Sequence, residues 1–305
     1  MIQWGLCCML WQEPIKFHTA TCRNLSRLTR HDQLDKLSKI IAQNLDSLVE
    51  TLNFCVRNKI MAFRISSALL PLATHPVLGY DWEKLPRAEL IAEKFLIVRN
   101  LAQAQAMRLS LHPDQFVVPS SPRPPVAAAS LRELAHQCRV AQCCGATEIN
   151  LHLGGVYGNK AAAVAEFDRR FRDWPDILQK MLTLENDDVS YTVRDLAPLC
   201  ETLSIPLVYD VHHHRCNPDG LSELEASRIS STTWLPRGVW PHFHISSPRG
   251  GWANGNPRPH ADLIAEKDFP ECWQKMNFTL DVEAKHKEVA IMRLRQQLEA
   301  DNKIG

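Results

Sequence analysis

Six short apolar runs in this chain each end in an imidazole or a carboxylate. They are Leu109-Ser-Leu-His112, Ile149-Asn-Leu-His152, Leu182-Thr-Leu-Glu185, Leu207-Val-Tyr-Asp210 continuing into Val-His-His213, His242-Phe-His244 and Leu280-Asp-Val-Glu283. One such residue would be unremarkable, but six in succession, separated by helical segments, are what a barrel presenting ligands at one rim would produce. Imidazole and carboxylate together, without thiolate, suit zinc, manganese or iron, and a carboxylate can bridge two cations about 3.5 to 4 Å apart. The expectation is a multinuclear site able to neutralise a phosphate and activate water.

Each residue also has an ordinary reading. His112 precedes Pro113 and could cap a strand, and His152 precedes Gly154-Gly155 and could donate to a carbonyl. Glu185 begins Glu-Asn-Asp, where a helix N-cap is the usual alternative. Asp210 and His213 could chelate or simply share a hydrogen bond, and Glu283 with Lys285 could be only a salt bridge. Their joint placement favours metal binding.

The elements that must position these groups alternate. Strand-like runs fall near 2–10, 61–67, 108–113, 147–153, 182–186, 205–212, 241–246 and 278–284. Helical spacing fills 32–58 (Leu34, Leu37, Ile41, Leu45, Leu48, Leu52), 88–106, 126–144, 161–181, 193–203 and 221–230. A mixed loop and helix covers 258–276, and a C-terminal helix lies at about 286–300. Alternation of this kind predicts an α/β chain with a parallel sheet, specifically a single (β/α)8 TIM barrel with its metal cluster at the C-terminal rim of the strands. The barrel is expected over about 2–288, within one domain spanning 1–305. Two loops on that rim, Pro119–Pro125 and Ser246–Pro257, are candidate substrate-binding loops.

Composition agrees. A chain of 305 residues, 45% of them apolar, is normal for such a barrel, which runs to roughly 250 residues before insertions. Lys and Arg total 35 against 34 acids, a formal charge of +1, which neither supports nor excludes nucleic-acid binding because an acidic pocket can cancel a basic groove. The ten cysteines include no Cys-x-x-Cys pair and read as reduced packing residues. Ile2 to Trp11 is too short to span a membrane, has no basic leader or small-residue cleavage site, and reads as the first barrel strand. The chain is expected to be soluble and cytoplasmic, with no membrane partner.

The stretches Phe63-Arg-Ile-Ser-Ser67, Thr74-His-Pro76, Tyr80-Asp-Trp82, Leu109-Ser-Leu-His-Pro-Asp-Gln115, Leu151-His-Leu-Gly-Gly155, Leu184-Glu-Asn-Asp187, Asp210-Val-His-His213, His244-Ile-Ser-Ser247 and Val282-Glu-Ala-Lys285 together resemble the UV damage endonuclease family. Each motif alone is weak, but their order and spacing carry the match. The resemblance implies a barrel similar to endonuclease IV, two or three divalent metals with manganese favoured over zinc, and incision of damaged double-stranded DNA immediately 5′ to a UV photoproduct, with no nucleotide cofactor. A monomer is expected. By position, it makes Glu185 the bridging carboxylate, with Asp210, His244 and Glu283 at one metal, His112 and His152 at a second, and His213 and His260 at a third. His75 and Lys285 would be active-site residues, Lys285 as a phosphate contact. Gln115 and Phe116, following a ligand-bearing strand, would enter the duplex, Phe116 as an apolar wedge and Gln115 as a hydrogen-bonding partner.

The sequence departs from the family pattern in several places. Phe116 stands where Tyr is usual, and His242 where a lysine lies near the metals. Leu6 and Leu10 replace a polar Tyr and Asn, and Asp114 replaces a glycine. Two other classes compete with the endonuclease: a sugar isomerase or epimerase of the xylose-isomerase-like type, and a barrel that recognises damaged DNA without cutting. The first has no use for Gln115-Phe116 beside the site.

Overall fold

Runs of four to six residues that are buried along nearly their whole length need strands on both edges and cover on both faces, a demand met by a parallel sheet closed on itself under a layer of helices. The computed structural model, which describes residues 1–304, closes them into an eight-stranded parallel barrel in sequential order, β1 through β8, with β8 pairing back onto β1. The strands are β1 (Ile2–Cys7), β2 (Ala62–Ile65), β3 (Arg108–Leu111), β4 (Glu148–His152), β5 (Leu182–Glu185), β6 (Leu207–Asp210), β7 (His242–Ile245) and β8 (Phe278–Val282). This is the TIM-barrel architecture, and all eight strands lie where apolar runs predict them.

The helices are α1 (Cys22–Leu25), α2 (Arg30–Arg57), α3 (Ala88–Ala104), α4 (Pro124–Cys144), α5 (Lys160–Phe171), α6 (Asp176–Met181), α7 (Val193–Leu203), α8 (Val211–Cys216), α9 (Glu223–Thr232) and α10 (Lys287–Ala300). In α2 the Thr29 hydroxyl accepts from the Asp32 amide, and Leu37, Ile41, Leu45, Leu48 and Leu52 form one buried stripe. The helix expected over 161–181 is two, α5 and α6, because Pro175 has no amide hydrogen to continue the ladder.

The strands end sooner than their apolar runs. Cys8 turns the chain out of β1 with φ +71, and the Asp210 side chain caps α8 by accepting from the His213 amide. The side chains of chemical interest therefore sit in the last two residues of a strand or within three residues beyond it, at the end where β-to-α loops begin. Among the described residues, all ten cysteines are free and no helix is long and apolar enough to cross a membrane.

Candidate metal centre

Side chains two apart on a strand share a face, so each barrel strand can stack two groups inward. Asn150 and His152 do this on β4, Thr183 and Glu185 on β5, and His242 and His244 on β7; Asp281 on β8 is followed two residues later by Glu283. Their upper members converge on Glu185, whose side chain is 1% exposed. Its Oε2 lies 3.1 Å from His112 Nε2 and 3.9 Å from His152 Nε2. Its Oε1 lies 3.2 Å from both His213 Nδ1 and His244 Nδ1. Asn150 Nδ2 donates to Oε2 and is itself fixed by Thr183, whose hydroxyl donates to Asn150 Oδ1.

The ligand-type atoms fall into overlapping groups whose members lie within 4.8 Å of one another: His112, His152 and Glu185; Glu185, Asp210 and His213; Asp210, His244 and Glu283; and, deeper, His242, His244 and Asp281. Glu185 Oε1, Asp210 Oδ2 and His152 Nδ1 are buried without a hydrogen-bond partner. Acceptor oxygens and imidazole nitrogens crowded together, with orphaned atoms among them, fit a divalent cation. His213 clusters with Glu185 and Asp210, whereas His260 stands apart, its Nδ1 3.6 Å from Glu283 and its ring centroid 6.4 Å from that of His213.

Burial opposes ionisation of Glu185, but His244 and His152, followed by His112 and His213, outweigh it and hold its carboxyl well below the usual range. Burial depresses His152, and the neighbouring Glu185 does not reverse this. His213 goes the other way: Asp210 and Glu185 outweigh its burial and raise it.

Beneath these groups runs a buried ladder of alternating charge. Arg108 Nε lies 2.6 Å from Glu148 Oε1, Glu148 Oε2 2.9 Å from His242 Nδ1, and His242 Nε2 3.2 Å from Asp281 Oδ1. Arg64 Nη2 then lies 3.0 Å from Asp281 Oδ2, 3.1 Å from His244 Nε2 and 2.6 Å from Glu283 Oε1. Burial opposes the ionised forms, but Arg108 and His242 hold the Glu148 carboxyl down at about 2, and Asp281 and Glu148 raise His242. Asp281 and Arg64 are site residues that ligand-ending motifs do not reveal. Their signals were a carboxylate two residues before Glu283 and an arginine inside an apolar strand. Gly5 makes room for Asp281, since a Cβ there would run into Oδ1.

A cavity of about 640 Å³ opens above the cluster, lined by Arg64, His112, His152, Glu185, His213 and Glu283 and bordered by Cys8 and Gln115. Phe116 is 77% exposed on the same loop and borders a second, more apolar depression that also reaches Asp114. Asp114 Oδ1 accepts from the Phe116 amide at 3.0 Å, so this carboxylate holds the turn. Leu6 and Leu10 are buried, leaving neither available to a substrate. Lys285 is exposed on the loop after β8. His75 is not brought to the cavity lining: its Nδ1 accepts from the Val77 and Leu78 amides and braces its own turn.

The family model for UV-endonuclease UvdE matches residues 2–305. A UV DNA damage endonuclease from Bacillus cereus is 31% identical over 299 residues, covering 95% of this chain and 92% of the relative. Among solved structures, SacUVDE superposes with a TM-score of 0.85 at 26% identity, covering 100% of both chains. Endonuclease IV from Thermus thermophilus shares the fold, with a TM-score of 0.58 at 16% identity over 83% of this chain and 94% of that one. With its barrel, its rim of imidazoles and carboxylates and these relatives, the chain belongs to the UV-endonuclease UvdE family.

Proposed function

We propose that this endonuclease hydrolyses the phosphodiester immediately 5′ to a UV photoproduct in double-stranded DNA, using two or three divalent cations. The mixed imidazole and carboxylate set suits manganese, zinc or iron, and the resemblance to the family favours manganese, with zinc as the second choice. One observation carries the reading: a carboxylate 1% exposed, Glu185, has three imidazole nitrogens within 3.2 Å and still keeps an oxygen without a hydrogen-bond partner. The residues that would hold the cations are His112, His152, Asp210, His213, His244, His260 and Glu283, with Glu185 bridging. Cations bound there would offset phosphate charge and lower the pKa of bound water.

The chain's own residues do the remaining work. Arg64 fixes the orientation of His244 and Glu283 from below, and Asn150 fixes Glu185. Lys285 is available to a phosphate, and Gln115 and Phe116 to the base stack at the lesion. Unstacking costs a few kcal/mol in intact duplex and less at a distorted site, so wedge insertion converts weakened pairing into selectivity. His75 has only Nε2 left for any role in the reaction, because Nδ1 is committed to its turn. The enzyme would act as a single intracellular chain, without a nucleotide cofactor.

The test is incubation of the purified protein with supercoiled plasmid and manganese. Irradiated plasmid should be nicked, unirradiated plasmid should survive, and chelation should abolish the reaction. Equal nicking of both plasmids would refute lesion specificity. Turnover of a ketose or aldose without nicking would point to the isomerase class, and tight binding without nicking to a recognition protein.

A further inference from the structure

The loop after β1 leaves the barrel through the turn at Cys8, which borders the cavity, and then presents Met9 at 48% and Trp11 at 57% exposure. Single exposed apolar side chains are ordinary, but Trp11 is held in a defined place. The amides of Trp11 and Gln12 donate to Glu288 Oε2 and Oε1, each at 2.7 Å, and Glu288 is 2% exposed. Two short bonds to one buried carboxylate fix the loop. The indole also stacks on the His286 ring, with centroids 4.7 Å apart and planes 21° from parallel. His286 lies on the loop after β8, three residues beyond Glu283, and its amide donates to the Asp262 carbonyl at 3.0 Å, while its Nε2 is 4.0 Å from the Asp262 carboxylate. Trp11, His286 and Asp262 thus come from loops after β1, β8 and β7, on the end of the barrel that carries the cavity.

We propose that Trp11, backed by His286, is a platform on the rim of the site on which an unstacked nucleobase of the damaged duplex stacks. The inference rests on the proposed action at photoproducts and adds a contact to it. An exposed indole pinned at its backbone and braced on one face offers a flat surface at low entropic cost, and stacking of this kind tolerates any base. Exposed Lys285, next to His286, supplies positive charge for the phosphates of the same strand. Leu10, between Met9 and Trp11, is buried, so these two are the large apolar side chains that the loop exposes.

The test is a fluorescence-anisotropy titration of the full-length protein with a labelled duplex carrying one pyrimidine dimer, beside the undamaged duplex. Trp11→Ala should weaken binding to the dimer duplex by about 5- to 150-fold, the range expected for losing one base–aromatic stack. Trp11→Phe should restore most of it, and Trp11→Ala should raise KM more than it lowers kcat, with metal content and Tm unchanged. Trp11→Ala binding as tightly as the parent would overturn the platform while leaving lesion incision intact. A marked fall in Tm in Trp11→Ala would assign the stacked pair to stability and also overturn it. A parent protein that neither prefers nor cuts the dimer duplex would overturn the proposed function itself, and the platform with it.

Discussion

Glu185 is the residue on which most distances in the site converge, and its worth can be separated from its volume. Glu185→Gln keeps the shape but removes the charge and one of the two oxygens proposed to bridge the cations, so incision should fall more than about 100-fold, a loss at or beyond that seen when groups around a metal site are altered. The barrel should stay folded, since the side-chain volume is kept and the imidazoles around Glu185, unlike the guanidinium beside Glu148, can shed a proton rather than remain as unpaired buried charges. Plasmid nicking and a thermal melt on the same preparation check both parts. Gly5 gives a second residue-scale prediction: Gly5→Ala would press a methyl group against Asp281, costing about 1 to 3 kcal/mol of stability, as overpacked interiors do, and lowering incision by displacing Asp281 and Arg64. The ligand-type residues at strand ends were legible in the sequence because a parallel barrel gathers strand ends at one rim. Asp281 and Arg64 were not singled out because they lie one layer lower, where their roles depend on which side chains face them across the barrel.

At the scale of elements, β3 and the loop after it would join the site to the DNA. His112 lies immediately after the strand, the Asp114 carboxylate shapes the turn, and Gln115 and Phe116 are exposed beyond it. The double change Gln115→Ala with Phe116→Ala should weaken binding to photoproduct duplexes and reduce their incision without removing metal or lowering Tm, as anisotropy and melting would report. Phe116 is 77% exposed, so its removal leaves no cavity. Across the lower barrel, β4 and β7 are tied by Glu148, which sits between Arg108 and His242. Its carboxyl is held at about 2 against an ordinary 4.5, a depressed value, so its stabilisation is complete above about pH 4.5 and disappears as pH falls toward 2. Glu148→Gln would leave the buried Arg108 guanidinium without the carboxylate it pairs with and should cost about 3 to 5 kcal/mol at neutral pH, with less difference from the parent in acid. Urea denaturation at pH 7 and at pH 3 tests the sign. The strands themselves were readable, because runs such as Ile149-Asn-Leu-His152 have apolar residues on the helix-facing side and polar ones inside. Their ends were overestimated because Cys8, Pro113 and Asp210 stop a strand by backbone geometry and capping, which hydrophobic pattern does not record.

Across the whole molecule, the near-neutral sum of charges conceals a division of labour. Carboxylates and imidazoles are concentrated inside the barrel mouth, while Gln115, Phe116, Trp11 and Lys285 lie exposed on the surrounding rim. Removal of metal by a chelator should abolish incision, and adding back manganese should restore it. Elemental analysis should find two or three ions per chain, because eight candidate ligands exceed the four that one tetrahedral site uses. A content below one ion per folded chain after manganese addition would remove the multinuclear centre from the account. The measurement that reaches the central claim most directly is the mapping of the cut in an end-labelled duplex carrying a single pyrimidine dimer, with manganese and with chelator. One break is expected, at the phosphodiester immediately 5′ to the dimer, with a 3′ hydroxyl that a polymerase can extend, and no break with chelator or in undamaged duplex. Cleavage at scattered positions, cleavage that survives chelation, or an intact strand would contradict it.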